Sequence, residues 1–235
     1  MSPLGSPRLH LAVTDSTNTR ARELAAAGAP HGMLVTTGEQ LAGRGRQGRT
    51  WSAPPGRALL CSVVLRDPPR LLPLLAGVAV AEVASSAGAP AQVKWPNDVL
   101  VGGRKVAGIL VEGRPQERWA VVGIGLNVAL APDDFPPELR ATAATLGLPP
   151  EAVERTLAEL LEVLERWLGQ PQDVVLEAVR VRDALRGQRI SWSGGEGTAD
   201  GIDGDGRLMV LAANGRRVAL DAGEVHLGPS ARTDR

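Results

Sequence analysis

The chain has 235 residues, a hydrophobic fraction of 43%, and 26 basic side chains balanced by 26 acidic ones. That length allows one sizeable core, or a large domain with a small one, and the zero formal charge gives no electrostatic reason to expect a DNA, RNA or membrane partner. A single cysteine, Cys61, excludes an intrachain disulfide framework and suits a reducing, cytoplasmic setting.

The first residues carry no secretory pattern. Arg8 to Val13 alternates and reads as a strand. Asp15-Ser16-Thr17-Asn18 is rich in helix-capping types, and a helix is expected from Thr19 to Ala27, ended by Gly28. Met33 to Thr37 is a second strand. Gly38 to Gly56 has no periodicity and reads as a loop, and Ala58 to Leu65 as a buried strand. The longest apolar stretch, Leu71 to Ala84, holds Pro73 and Glu82 and is too short to span a bilayer. It is read as a buried helix over Leu71 to Ala87. Three strand-like runs follow, Gln92 to Trp95, Val99 to Val101 and Lys105 to Glu112, the last two joined by a Gly102-Gly103 hairpin turn. Trp119 to Gly125 is another strand, continuing into Leu126-Asn127-Val128. After a proline-rich loop, Glu151 to Leu168 has helical spacing at Val153, Leu157, Leu160, Leu161 and Leu164. A further helix is expected from Asp173 to Leu185. From 187 to 228, short strands separated by Ser193-Gly194-Gly195, Asp203-Gly204-Asp205-Gly206 and Asn214-Gly215 predict a small antiparallel barrel. The tail from Gly228 is expected to fray.

Only two of the 26 basic residues are lysines, Lys94 and Lys105, and both lie in one short segment. A lysine that persists against such arginine usage marks a place where a compact point charge serves better than a planar fork, or it is there by chance.

Gly43-Arg44-Gly45-Arg46-Gln47-Gly48-Arg49-Thr50 matches two phosphate-binding patterns in part. Both need a helix to follow directly, and Trp51-Ser52-Ala53-Pro54-Pro55-Gly56 cannot begin one. The glycines still allow a tight fold around a ligand, and the arginines offer charge-assisted donors suited to phosphate. A solvated basic loop is the plainer alternative.

Four further segments surround this loop in the chain: Asp15-Ser16-Thr17-Asn18-Thr19, Lys94-Trp95-Pro96-Asn97-Asp98, Arg104 to Glu112, and Gly123-Ile124-Gly125-Leu126-Asn127-Val128. Together the five resemble the biotin protein ligase family in type, order and spacing, over about residues 8 to 228. The resemblance implies an α+β fold: a class II synthetase-like, biotin/lipoyl ligase catalytic domain with a mixed central sheet, plus an SH3-like C-terminal barrel. The expected division is 1–186 for the catalytic domain and 187–235 for the barrel and tail. Some members carry a DNA-binding helix-turn-helix before the catalytic domain; this chain begins almost directly at the latter and resembles the monofunctional type.

The resemblance also implies residue roles. Ser16, Thr17, Asn18 and Gln40 match biotin contacts, although plain capping and a solvated glutamine would also account for them. Arg44, Gly45 and Arg46 match a loop that closes over biotin and the adenylate, with Arg49 on the nucleotide side. Trp51 would pack over ligand or serve as a half-buried core residue. Lys105 matches the lysine beside the biotin carboxylate and the α-phosphate, where a fixed cation opposes the repulsion of two anions. Asn97 and Asp98 match the ATP region; Asp98 would hold magnesium, accept a proton, or simply form a turn. Gly108 and Gly125 would admit ligand or only pack tightly, and Asn127 matches a nucleotide-side position. Lys94 is open between structure and nucleotide-side electrostatics, and Cys61 is read as core.

The implied reaction uses ATP with Mg2+ to make biotinyl-5′-AMP and passes biotin to a lysine of a biotin carboxyl carrier domain, of acetyl-CoA carboxylase or a related carboxylase. The acceptor strand is expected near residues 104 to 128, and a homodimer through the sheet edge is plausible by resemblance. The sequence departs from the family at Gly223-Glu224-Val225-His226-Leu227-Gly228, where a final arginine is missing. The alternatives are a lipoate protein ligase and a non-catalytic biotin- or nucleotide-binding module.

Overall fold

The computed structural model describes residues 3–221, 223 and 225–227. Its centre is a seven-stranded mixed sheet of β1 (Arg8–Thr14), β2 (Leu34–Gln40), β3 (Ala58–Arg66), β4 (Ala91–Lys94), β5 (Asp98–Val101), β6 (Arg104–Arg114) and β7 (Trp119–Asn127), in the order β1-β2-β3-β7-β6-β5-β4. Only β1 and β2 run parallel; every other neighbouring pair is antiparallel.

Because successive side chains point to opposite faces, the central strands sort their residues cleanly. Leu59, Cys61, Val63 and Leu65 of β3, with Val122, Ile124 and Leu126 of β7, enter the main core with the apolar helix α2 (Leu72–Ser86) and the apolar face of the amphipathic α3 (Ala152–Leu168). α2 is apolar except for Glu82 and the two serines at its end, and most of it is buried, as a core helix must be. On the other face, Val64, Trp119 and Val121 pack under Ala21 and Ala25 of α1 (Thr17–Ala26). Further along that face α1 ends and the helix layer is missing. The cleft described below occupies that gap.

α1 begins at Thr17, two residues before the expected start. Ser16 stands at the N-cap in an extended conformation but makes no side-chain capping bond. The Gln40 side-chain oxygen accepts from the Thr17 N–H at 2.8 Å and so satisfies a first-turn donor from another strand. β2 correspondingly runs through Gln40, past the expected end at Thr37. α4 (Gln172–Val181) stops short of the expected Leu185. Val93 N–H donates to the Arg182 carbonyl and Ala184 N–H to the Val93 carbonyl, so the chain is drawn out alongside β4. Leu185 is nonetheless fully buried.

The C-terminal strands β8 (Arg189–Trp192), β9 (Gly195–Ile202), β10 (Leu208–Ala212), β11 (Arg217–Leu220) and β12 (His226–Leu227) form an antiparallel sheet ordered β11-β10-β9-β8-β12. The expected barrel is corrected to an open sheet. β11 and the two-residue β12 lie at opposite edges and do not pair among the described residues. Ile190, Ala199, Leu208, Val210 and Val225 of this region join the main core, and Trp95 Nε1 donates to the Gly206 carbonyl at 3.0 Å. The expected frayed tail from Gly228 lies outside the described residues.

Candidate active site

The cleft opens where the α1 face loses its helix. Its floor follows from strand register. On β3, β7, β6 and β5, Leu60 pairs with Gly125, Gly125 with Gly108, and Gly108 with Asp98. Two residues along, Ser62 pairs with Gly123, and Gly123 with Leu110. Three glycines and one serine thus replace the side chains that would otherwise fill this layer.

What fills the space is specific. A Cβ on Gly123 would stand 2.2 Å from Asn18 Oδ1, and one on Gly125 would stand 2.5 Å from Trp51 Cε2. One on Gly108 would meet the Trp51 ring and the end of the Lys105 side chain, both at 3.3 Å. Gly108 and Gly125 therefore admit a tryptophan and a lysine of this chain itself. Trp51 is half-buried: it packs on a satellite core around Leu60 and Phe135 and also lines the cleft.

At one end the groups are amides and hydroxyls. Asn18 is 3% exposed. Its Oδ1 accepts from the Ser62 hydroxyl at 2.9 Å, and its Nδ2 donates to Glu112 Oε2 at 2.7 Å. Ser62 also lies 2.8 Å from Thr17 Oγ1. Ser16 Oγ and Trp51 Nε1 are buried and have no hydrogen-bond partner among the described residues, whereas buried polar atoms are normally paired.

At the other end the groups are cationic. Lys105 Nζ lies 2.7 Å from Asp98 Oδ1 and 5.7 Å from the Trp51 ring centroid. The Lys105 backbone is clamped as well: its N–H donates to the Thr142 carbonyl and its carbonyl accepts from Ala144 N–H, each at 2.7 Å. The glycine-arginine loop covers the cleft, and two of its arginines are held by described residues. Arg44 pairs with Glu112 at 3.3 Å, and Arg46 donates to Asn97 Oδ1 at 2.9 Å. Asn97 in turn donates to the Ile109 carbonyl, also at 2.9 Å. Inside the loop Gln47 and Gly48 have positive φ, and Gly43 is required because a Cβ would strike the Trp51 carbonyl at 2.1 Å.

The fold thus brings Ser16, Thr17, Asn18, Gln40, Arg44, Gly45, Arg46, Arg49, Trp51, Asn97, Asp98, Lys105 and Gly108 to one cleft enclosing about 920 Å³, counted out to solvent. Asn127 is placed differently. It is 4% exposed, does not line the cleft, and donates to the Ala144 carbonyl at 2.9 Å, steadying the segment that clamps Lys105. Ser62, Glu112 and Gly123 were missed as site residues. The polar Ser62 within the apolar run of β3 was the available signal for the first. Gly223 and Val225 also border the cleft, bringing the C-terminal region to its mouth.

The Asp98 carboxylate is paired with Lys105 at 2.7 Å.

Comparison with known proteins agrees with this geometry. Residues 10–128 match the model of the biotin/lipoate A/B protein ligase family, and residues 177–228 match the biotin protein ligase C-terminal domain. The biotin–[acetyl-CoA-carboxylase] ligase of Mycobacterium tuberculosis is 36% identical over 92% of this chain and 86% of its own length. The chain belongs to the biotin protein ligase family. A family member from Paracoccus denitrificans, also named biotin–[acetyl-CoA-carboxylase] ligase, is 36% identical over 93% of this chain and 99% of its own. The bifunctional ligase/repressor BirA of Bacillus subtilis is 41% identical over 61% of this chain, and the match spans about half, 47%, of that relative's length. The biotin protein ligase of Aquifex aeolicus in complex with biotin and ATP superposes with a TM-score of 0.79 at 26% identity, covering 96% of this chain and 100% of that one.

Proposed function

We propose that the chain is an ATP-dependent biotin protein ligase. It activates biotin to biotinyl-5′-AMP and transfers the biotinyl group to a lysine of a biotin carboxyl carrier domain, that of acetyl-CoA carboxylase or a related carboxylase. One observation carries the reading: a single cleft with neutral amides and hydroxyls at one end and fixed cations at the other. That polarity matches a molecule with an uncharged ureido head and an anionic tail that must meet a phosphate.

In this reading Ser16, Thr17, Asn18 and Gln40 hold the ureido end, with Ser16 Oγ supplying a bond that the described residues leave open. Lys105 stands where the biotin carboxylate attacks the α-phosphorus. Its charge opposes the repulsion between the anions and stabilises the charge that builds on the phosphate oxygens as pyrophosphate departs. Asp98 holds that ammonium in place. Arg44, Arg46 and Arg49 close over the adenylate with Trp51, excluding water from the mixed anhydride. Asn97 orients Arg46. The acceptor amine then attacks the acyl carbon in its neutral form, and AMP leaves. Magnesium is expected as part of the substrate, carried on the triphosphate of ATP.

The acceptor is proposed to dock along β6. Its outer edge loses its strand neighbour beyond Gly108, which pairs with Asp98 at the start of β5, and an open edge accepts another strand. A second copy of the chain would use the same edge to form a homodimer. Residues 1–186 would be the catalytic part and 187 onward the C-terminal part, following the change from mixed to antiparallel sheet. A cytoplasmic setting is supported by the single, buried Cys61. No helix among the described residues is long and apolar enough to cross a membrane.

The deciding assay is pyrophosphate release with ATP and magnesium, with biotin or lipoate in parallel. Biotin-dependent release is expected, falling about 10²–10³-fold in Lys105→Ala. Release with lipoate alone would change the substrate, and release with neither would leave a binding module.

A further inference from the structure

Glu112 gathers three side chains from two separate segments onto one carboxylate. Its Oε2 accepts from Asn18 Nδ2 at 2.7 Å, while its Oε1 lies 3.3 Å from Arg22 of α1 and 3.3 Å from Arg44 of the loop. Its side chain is 21% exposed, so these contacts are only partly screened by solvent.

The chemistry of a carboxylate restricts its neighbours. It accepts and cannot donate, so Asn18 must turn its NH2 toward Glu112. The amide oxygen then faces Ser62, whose hydroxyl donates to it at 2.9 Å. Gly123 closes the remaining side, since a Cβ there would stand 2.2 Å from that oxygen. The donor and acceptor ends of Asn18 in the cleft are therefore set by Glu112. The other oxygen of the same group pins Arg44 over the cleft.

We infer that Glu112 is a positioning residue that couples two parts of the site: it fixes the orientation of the Asn18 amide and latches the arginine loop through Arg44. The inference rests on the reading of Asn18 as a biotin contact and of Arg44 as part of the loop that closes over the bound adenylate. Glu112→Gln separates the two roles from mere bulk. A carboxamide has one accepting atom, so one of its two ends must face either the Asn18 NH2 or a guanidinium with an NH2 of its own.

Two measurements test the coupling. In the ligand-free chain, trypsin cleavage after Arg46 and Arg49 is expected to accelerate about two- to fivefold in Glu112→Gln, the effect of losing one half-exposed ion pair. In calorimetry, biotin binding without ATP is expected to weaken by about tenfold or more. Arg22→Met removes the other guanidinium on the same oxygen and is expected to leave both readouts at the wild-type value. Unchanged cleavage and unchanged biotin affinity in Glu112→Gln would overturn the inference. So would an Arg22→Met variant that behaves like Glu112→Gln, because Glu112 would then only strap α1 to the sheet. The cleavage measurement needs no ligand. If the wild-type chain binds no biotin, the functional reading fails while the latch is still judged by proteolysis.

Discussion

Gly123 and Gly125 lie two residues apart on β7, on the same face, and alanine at either should have different consequences. At Gly123 the new Cβ would stand 2.2 Å from Asn18 Oδ1 and 2.9 Å from its Cγ. Asn18 is almost fully buried and tied to Ser62 and Glu112. It cannot step aside without leaving a buried amide unpaired. Overpacking of this kind costs about 1–3 kcal/mol, and the orphaned hydrogen bond adds a similar amount. A total near ~3 kcal/mol would lower Tm by roughly 6–12 °C in a chain of this size. At Gly125 the added Cβ would stand 2.5 Å from Trp51 Cε2. Trp51 sits at the end of a surface loop, is only half-buried, and its Nε1 has no partner to lose among the described residues. The ring can lift, so Gly125→Ala should cost about 1 kcal/mol or less, roughly 2–4 °C. Lifting the ring removes the cleft's cover, and biotin-dependent pyrophosphate release should fall at least about tenfold. Thermal unfolding by circular dichroism and the release assay separate the two effects. If Gly125→Ala proved the more destabilised of the pair, or Gly123→Ala kept the wild-type Tm, the account of the cleft floor would be wrong.

Further outcomes follow from single residues. Lys105→Arg keeps the charge but puts a broad fork beside Asp98, Gly108 and Trp51, and should lose activity by about a hundredfold in the release assay; near-normal turnover would make simple charge sufficient. Burial pushes the Cys61 thiol up to about 12, so a thiolate-specific reagent at pH 8 should label it only after unfolding. Rapid labelling of the native chain would show that β3 opens readily. Burial also raises the Asp183 carboxyl above its ordinary value, although bonds from Leu185 and Arg186 N–H oppose the shift. The folded state then holds this proton more tightly than the unfolded chain. The stability contributed by this group is full below the ordinary carboxylate range and is lost as pH rises through the raised value. Asp183→Asn should accordingly raise Tm at pH 7 relative to wild type and bring no gain at acid pH; a gain of equal size at both would refute the linkage.

Much of the fold was legible because its signals are local. β3 and α2 are apolar runs of strand and helix length, and Gly102-Gly103 takes the positive φ values that a two-residue hairpin demands. The errors came where a distant segment decides a local end. α1 starts early because Gln40, 23 residues on, satisfies its first turn. α4 stops early because Val93 captures the backbone at Arg182 and Ala184. The barrel was read from turn signals, which specify hairpins but cannot specify whether the first and last strands meet. The cleft residues were found through short motifs, each continuous in the chain. Glu112 and Ser62 escaped because their meaning lies in partners some 44 to 94 residues away.

The cleft is best understood as a deliberate gap in one layer of side chains. In a sheet covered by helices, every inward position on a central strand normally carries an apolar group. Here the row Gly125–Gly108 and the neighbouring Ser62–Gly123 pair break that rule on one face only; the opposite face, with Cys61, Ile124 and Leu126, remains fully apolar. A gap of this kind would collapse or fill with water unless something held its walls apart. Trp51 covers one row, and the Ser62–Asn18–Glu112 chain of hydrogen bonds braces the other. The brace ends on Arg44, in the loop that covers the cleft. The same contacts that keep the cavity open therefore also determine whether its cover is closed, which is why substitutions in the floor should be read in the loop as well as in the rate.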